Sequence, residues 1–178
     1  MFRRHLFIAA ALLATGANAQ TPKPAPFREL NWEELVPKDW DPMKEFKGQD
    51  MGAGLSDNDP KAQAMLKRLR EIWDAAPTVA ALDGQAVRLP GFVVPLDEVA
   101  EGLKSFLLVP YFGACIHTPP PPSNQIIHVL AKVPVKLRSM DPVWVRGTLH
   151  TERQNSAMGA SSYRLDAAGV EPYVEKAR

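Results

Sequence analysis

From Ala86 to the C-terminus the apolar residues come in short runs, each cut by glycine, proline or a polar pair. Such runs are too short for long helices and, bounded by turn formers, specify short strands. Ala86 to Leu96 reads as one bent strand with Pro90-Gly91 as its kink or bulge. Ser105 to Val109 is a second, reached through a turn at Glu101-Gly102, and Ile126 to Val133 is a third. Val143 to His150 alternates cleanly: Val143, Val145 and Leu149 face one way, and Trp144, Arg146, Thr148 and His150 face the other. Ser161 to Leu165 is a fifth strand, and Gly169 begins an ending that includes Tyr173. Five short strands of this kind predict a small barrel, of the five-stranded oligonucleotide/oligosaccharide-binding type.

The residues before Ala86 are written differently. Asn31 is placed to cap a short helix, with Glu34 three residues on as a capping box requires, and Pro37 ends it. A loop rich in Asp, Gly and Pro comes next, pinned by Trp40, Met43 and Phe46. Asp59-Pro60 then opens the one long helix, Asp as cap and Pro in the first turn, and Pro77 stops it. Met65, Leu69, Ile72 and Trp73 form a stripe on it that is expected to pack on the sheet. The fold class is therefore mainly β with an N-terminal helical segment (α+β). It is one globular domain over 31–178, helical over 31–78 and β over 86–178.

The extreme N-terminus reads as an export signal over 1–19. Arg3 and Arg4 give a positive start, Leu6 to Ala14 carry no charge, and Ala17-Asn18-Ala19 supplies the small residues of a cleavage site before Gln20. The apolar run falls short of the roughly 20 residues a bilayer span needs. A Pro-rich lead-in, mobile and non-helical, is expected over 20–30. Loss of Arg3 and Arg4 brings the 21 Lys and Arg below the 20 Asp and Glu, which leaves no electrostatic footprint for nucleic acid. The expected location is the periplasm, with no stable membrane insertion after cleavage. Cys115 is the only cysteine, so no intrachain disulfide is available and the fold rests on its apolar core.

One segment concentrates chemistry. Between the second and third strands runs Pro110-Tyr111-Phe112-Gly113-Ala114-Cys115-Ile116-His117-Thr118, then Pro119 to Pro122, then Ser123-Asn124-Gln125. Gly113 permits a tight or positive-φ backbone. In extended backbone Cys115 and His117 project the same way. The four prolines form a stiff stretch, and Asn124 and Gln125 beyond it offer amide donors and acceptors. Three readings of this segment stand side by side. Cys115 and His117 are ligands of Zn²⁺ or another transition metal, with a third from His128, His150, Asp97 or Glu98. Alternatively, Cys115 is a nucleophile or redox thiol with its pKa lowered by His117. Or the segment is architecture, with a buried thiol and prolines that plug a barrel end.

Trp32-x-x-Leu35-x-Pro37, Gly91-Phe92-Val93-Val94-Pro95-Leu96-Asp97 and the long run from Phe106 to Gln125 together resemble a family of exported bacterial proteins, the thirty-two-ninety-nine domain of unknown function. The resemblance spans about Trp32 to Tyr173. Relatives are often lipoproteins or periplasmic proteins, some encoded near transporters of the ATP-binding-cassette type and zinc-responsive genes. That implies metal homeostasis or envelope transport, and an envelope transporter or periplasmic protein as partner. The family's Cys, His, Pro and Asn positions fall on Cys115, His117, Pro119 to Pro122 and Asn124. A lipobox cysteine is lacking, so anchoring does not carry over. The function expected is a periplasmic binding or accessory protein with a metal site of Cys115, His117 and His128, flanked by Gly113, Asn124 and Gln125. The alternatives are an enzyme using Cys115 and a structural adaptor of an envelope complex. N-terminal sequencing of the protein recovered from periplasm should read from Gln20; an intact Met1 there contradicts the export reading.

Overall fold

The computed structural model describes residues 26–48, 56, 58–96, 100–114 and 120–174. Its centre is a barrel. Strand β2 (Ala86–Pro95) pairs antiparallel with β3 (Leu103–Val109), which pairs antiparallel with β4 (Ile127–Val135). Strand β5 (Pro142–His150) returns beside β2, the return of a Greek key. Strands β6 (Gln154–Ser156) and β7 (Gly159–Ser161) form a small hairpin. The last strand, β8 (Tyr163–Pro172), then slots between β4 and β5, parallel to the first and antiparallel to the second. The circuit β2-β3-β4-β8-β5-β2 is closed, so these five strands keep every neighbour paired. The expected five-stranded barrel of oligonucleotide/oligosaccharide-binding type is what the chain builds.

Alternation fills the interior. Val87, Leu89 and Val93 of β2, Phe106 and Leu108 of β3, and Ile127 and Val129 of β4 are fully buried together with Val143, Val145, Leu149, Tyr163 and Leu165. The faces anticipated for β5 hold residue by residue. Closure needs two close approaches. A Cβ on Gly91 would lie 2.7 Å from Leu108 Cγ and 2.9 Å from the Val109 carbonyl. A Cβ on Gly147 would lie 2.2 Å from the Asp166 carbonyl, at a register shift in the β5–β8 ladder.

Three expectations are corrected. The lead-in does not stay loose to residue 30: β1 (Arg28–Glu29) pairs parallel with β2, and Leu30 is fully buried. Short strands with polar side chains carry no periodic signal, and the backbone ladder supplies what the side chains do not. The fifth barrel strand does not stop near Leu165 but runs through Gly169 to Pro172. At Gly169 the missing side chain makes room for the Arg146 guanidinium, whose nearest atoms lie 2.8 Å from a built Cβ. Finally, the long helix α1 (Pro60–Asp74) is capped by Asp59 as anticipated, the carboxylate accepting from Lys61 N–H at 2.8 Å, but it buries no residue fully. A closed barrel presents no open inner sheet face for a helix stripe. Met65, Leu69, Ile72 and Trp73 stay half-buried on the outside, and Leu66 is 52% exposed.

One phenol ties two of the N-terminal segments to the barrel at once. Tyr163, fully buried at the start of β8, donates from its hydroxyl to the Leu35 carbonyl at 2.8 Å and accepts from Val79 N–H at 2.7 Å. Burial pushes its pKa up, so the hydroxyl keeps its proton. Tyr163→Phe strips both partners at once and should cost about 1–3 kcal/mol. Chemical denaturation should show it as a lower midpoint with an unchanged barrel spectrum.

Candidate functional site

On the outside of β2, β3 and β4 the strand register lines up a second apolar face. Val94 stands opposite Leu107 and Phe92 opposite Val109, while Leu107 stands opposite His128 and Ser105 opposite Leu130. Val94, Leu107, Val109, Ala114 and Ile126 bury one another here, with Phe92, Leu96, Met140 and Met158 packed at the margin. Ala114 and Ile126 are the two stems of the β3–β4 connection, so both stems pack on this face. Gly113 turns the first stem at φ +85°. Its N–H donates to Met140 Sδ at 3.1 Å, and Met140 itself holds a φ of +66°, a conformation L-residues seldom adopt. Cys115 and His117 come directly after Ala114 and lie outside the described residues, as do Asp97 and Glu98.

His128 is the chemical feature of this face. Its ring is half-buried, and Nε2 lies 2.7 Å from Ser105 Oγ. Nδ1 is buried and has no hydrogen-bond partner among the described residues. Burial, aided by the Arg164 cation directly across on β8, lowers the imidazole pKa, with Glu152 opposing. The ring is therefore neutral at physiological pH. Arg164 is itself engaged: its Nε donates to Asp166 at 3.0 Å, and its Nη1 pairs with Glu152. His150 stands on the far side of Arg164, with Nε2 3.3 Å from Asp166 and Nδ1 3.8 Å from Asp83. His128 and His150 are thus two strand spacings apart, about 10 Å, with a guanidinium-bearing strand between them. They do not share a ligand, and His150 is half-buried between carboxylates. Among the described residues no three His, Cys, Asp or Glu side chains gather in a metal-binding group.

Asn124 and Gln125 serve the fold rather than an open site. Asn124 is fully buried and its Nδ2 donates to the Pro77 carbonyl at 3.0 Å; Gln125 Nε2 donates to the Trp32 carbonyl at 2.8 Å. Ser123 donates to the Asp74 carbonyl at 3.0 Å and accepts from Ser162 Oγ at 2.7 Å. The second stem is thereby clamped to the end of α1, to the first turn after β1 and to β8. Asn124 Oδ1 is buried there without a hydrogen-bond partner among the described residues. Sequence reasoning does not single out Ser105 or Arg164. The one available signal is that Ser105 interrupts an otherwise apolar outer face two residues before Leu107. An apolar groove of about 250 Å³, lined by Trp32, Pro90, Gly91, Phe92 and Tyr173 among others, opens on the neighbouring surface and holds no acid, histidine or thiol.

The lowered pKa of His128 has a sign that can be tested. The unfolded chain takes up a proton near 6.5 that the folded chain refuses, so stability is lost as pH falls through that value. Between about pH 7.5 and about pH 5.5 the thermal midpoint of the wild type should fall further than that of His128→Gln. Equal falls in the two proteins contradict this assignment.

The profile of a family described as protein of unknown function (DUF3299) matches residues 32–172. The crystal structure of a DUF3299 family protein from Pseudomonas aeruginosa PAO1, at 2.45 Å resolution, is similar at 36% identity and a TM-score of 0.63, covering 86% of this chain and all of that one. A small single-stranded DNA-binding protein from Streptomyces coelicolor aligns over 52% of this chain and 96% of its own at 17% identity and a TM-score of 0.33. No curated protein matches the sequence. With a family match that spans the barrel and both stems of the Cys115 segment, this chain belongs to the DUF3299 family of proteins of unknown function.

Proposed function

We propose that the protein is a periplasmic binding or accessory protein whose site takes a transition metal, Zn²⁺ foremost, on Cys115, His117 and His128, in the service of metal homeostasis or envelope transport. The observation that carries this reading is the buried, unpartnered Nδ1 of His128 on the face where both stems of the Cys115 segment are packed. Ala114, the residue before Cys115, and Ile126, two residues before His128, touch the same apolar cluster, and Leu107 within it stands directly opposite His128. Ala114, from which the chain runs on to Cys115, therefore sits on the same outer face as the imidazole.

The donor set suits the metal. A thiolate and two imidazoles match zinc's preference for sulfur and nitrogen ligands, and a fourth position is left for water or a partner's side chain. His128 is already in the neutral form a ligand requires. The neighbouring cation Arg164 is neutralised by Asp166 and Glu152, so it does not bar a divalent ion from that surface. The clamps at Ser123, Asn124 and Gln125 fix one stem and the Gly113–Met140 contact the other, which limits the entropy lost on ordering a ligand set.

Zinc titration of the chain from Gln20 to Arg178, monitored by calorimetry, tests the reading. Wild type should bind one equivalent. Cys115→Ser, His117→Ala and His128→Ala should each weaken binding by at least roughly tenfold, and affinity should fall with pH as protons compete for thiolate and imidazole. A wild type that takes no zinc or copper below about millimolar rejects the metal site. Rapid alkylation of Cys115 in that same protein, slowed by His117→Ala, supports the thiol-enzyme alternative instead.

A further inference from the structure

Ser105 and His128 are diagonal neighbours across the β3–β4 ladder. Leu107 stands opposite His128, and Ser105 lies two residues before it on the same face. Their contact, Ser105 Oγ to His128 Nε2 at 2.7 Å, is a hydrogen bond whose direction depends on the imidazole tautomer. Either Nε2 carries the proton and donates to the hydroxyl oxygen, or the hydroxyl donates to a bare Nε2 and the proton sits on Nδ1.

The surroundings of the other nitrogen decide between the two. Nδ1 is buried and has no acceptor within reach among the described residues. An N–H orphaned in the interior is rare in folded proteins, whereas an under-satisfied lone pair is tolerated more often. The proton therefore belongs on Nε2, where Ser105 accepts it.

We propose that Ser105 is a positioning residue for His128, fixing the ring in its Nε2–H tautomer and orientation so that the Nδ1 lone pair is the atom offered to a metal. The inference rests on the metal-site reading of His128 and deepens it, since metal-binding histidines commonly donate their second N–H to an oxygen that sets tautomer and ring angle. It also separates the pair from a catalytic serine dyad, in which the hydroxyl would donate to Nε2 and the Nδ1 proton would need a carboxylate.

Long-range ¹H–¹⁵N spectra of the imidazoles in the metal-free full chain provide the first reading. His128 should show a protonated-type Nε2 and an unprotonated-type Nδ1, and Ser105→Ala should convert this single form into a mixture. Zinc titration provides the second. Ser105→Ala should weaken zinc binding by roughly 10–100-fold and Ser105→Thr, which keeps the hydroxyl on a strand-compatible side chain, should restore most of it. Backbone ¹H–¹⁵N spectra of both variants check that the barrel is intact. A proton on Nδ1 in the wild type, or wild-type zinc affinity in a folded Ser105→Ala, overturns the inference while leaving the metal site standing. A wild type with the expected tautomer that binds no zinc overturns the metal reading and the ligand role together.

Discussion

The barrel depends on a single strand serving two neighbours in succession. The first seven residues of β2, Ala86 to Phe92, pair with β5, and its last four, Phe92 to Pro95, pair with β3. The exchange of partners comes directly after Pro90-Gly91, which still pair in unbroken register with Trp144 and Val143 of β5. Proline contributes no N–H to a ladder, and glycine lets Leu108 and Val109 approach within 3 Å of where a Cβ would stand. That close approach permits closure, and closure creates an interior that Phe106, Tyr163 and the branched aliphatics fill from all five strands. With no disulfide available in a chain with one cysteine, this is the interaction that keeps the fold together.

A closed barrel uses its inner face for the core and leaves its outer face to be assigned. Here the outside of β2, β3 and β4 is apolar, and the β3–β4 connection lies over it through Ala114 and Ile126. In barrels of the oligonucleotide/oligosaccharide-binding type the corresponding outer surface is where ligands are received. In this chain that surface has become the seat of a second small core, and the Ser105–His128 pair stands at its margin. The chemistry is thus placed at the border between that core and the charged surface of β8, where Arg164 balances Glu152 and Asp166.

The stems of the Cys115 segment are held by contacts far apart in sequence. Gln125 reaches the carbonyl of Trp32, Asn124 that of Pro77, and Ser123 bonds to Ser162 across the start of β8. Residues that look like binding groups in the sequence, a serine, an asparagine and a glutamine beside a proline run, are consumed in fastening the connection to the helical part and the last strand. The same residue types would suit a polar site. Which use they serve is set by the carbonyls that happen to be buried beside them, and those carbonyls come from other segments.

Much of the architecture is legible because it is local. The alternation of Val143, Val145 and Leu149, the cap at Asp59 and the positive φ at Gly113 all arise from residue chemistry and spacing, and each is found where the sequence placed it. Anything that depends on pairing at a distance lies beyond the sequence read locally. Arg28–Glu29 is a strand only because β2 offers it a ladder, and β8 continues past Gly169 only because β5 runs beside it to Pro142. His128 likewise reads as a core histidine or a ligand with equal weight. Its orphaned Nδ1, its serine partner and its separation from His150 arise from the register of three strands, which local spacing does not encode. Local periodicity and turn chemistry determined which segments become strands and helices; the closing of the ladder, a non-local exchange of hydrogen bonds and buried area, decided the barrel order and the surroundings of each histidine.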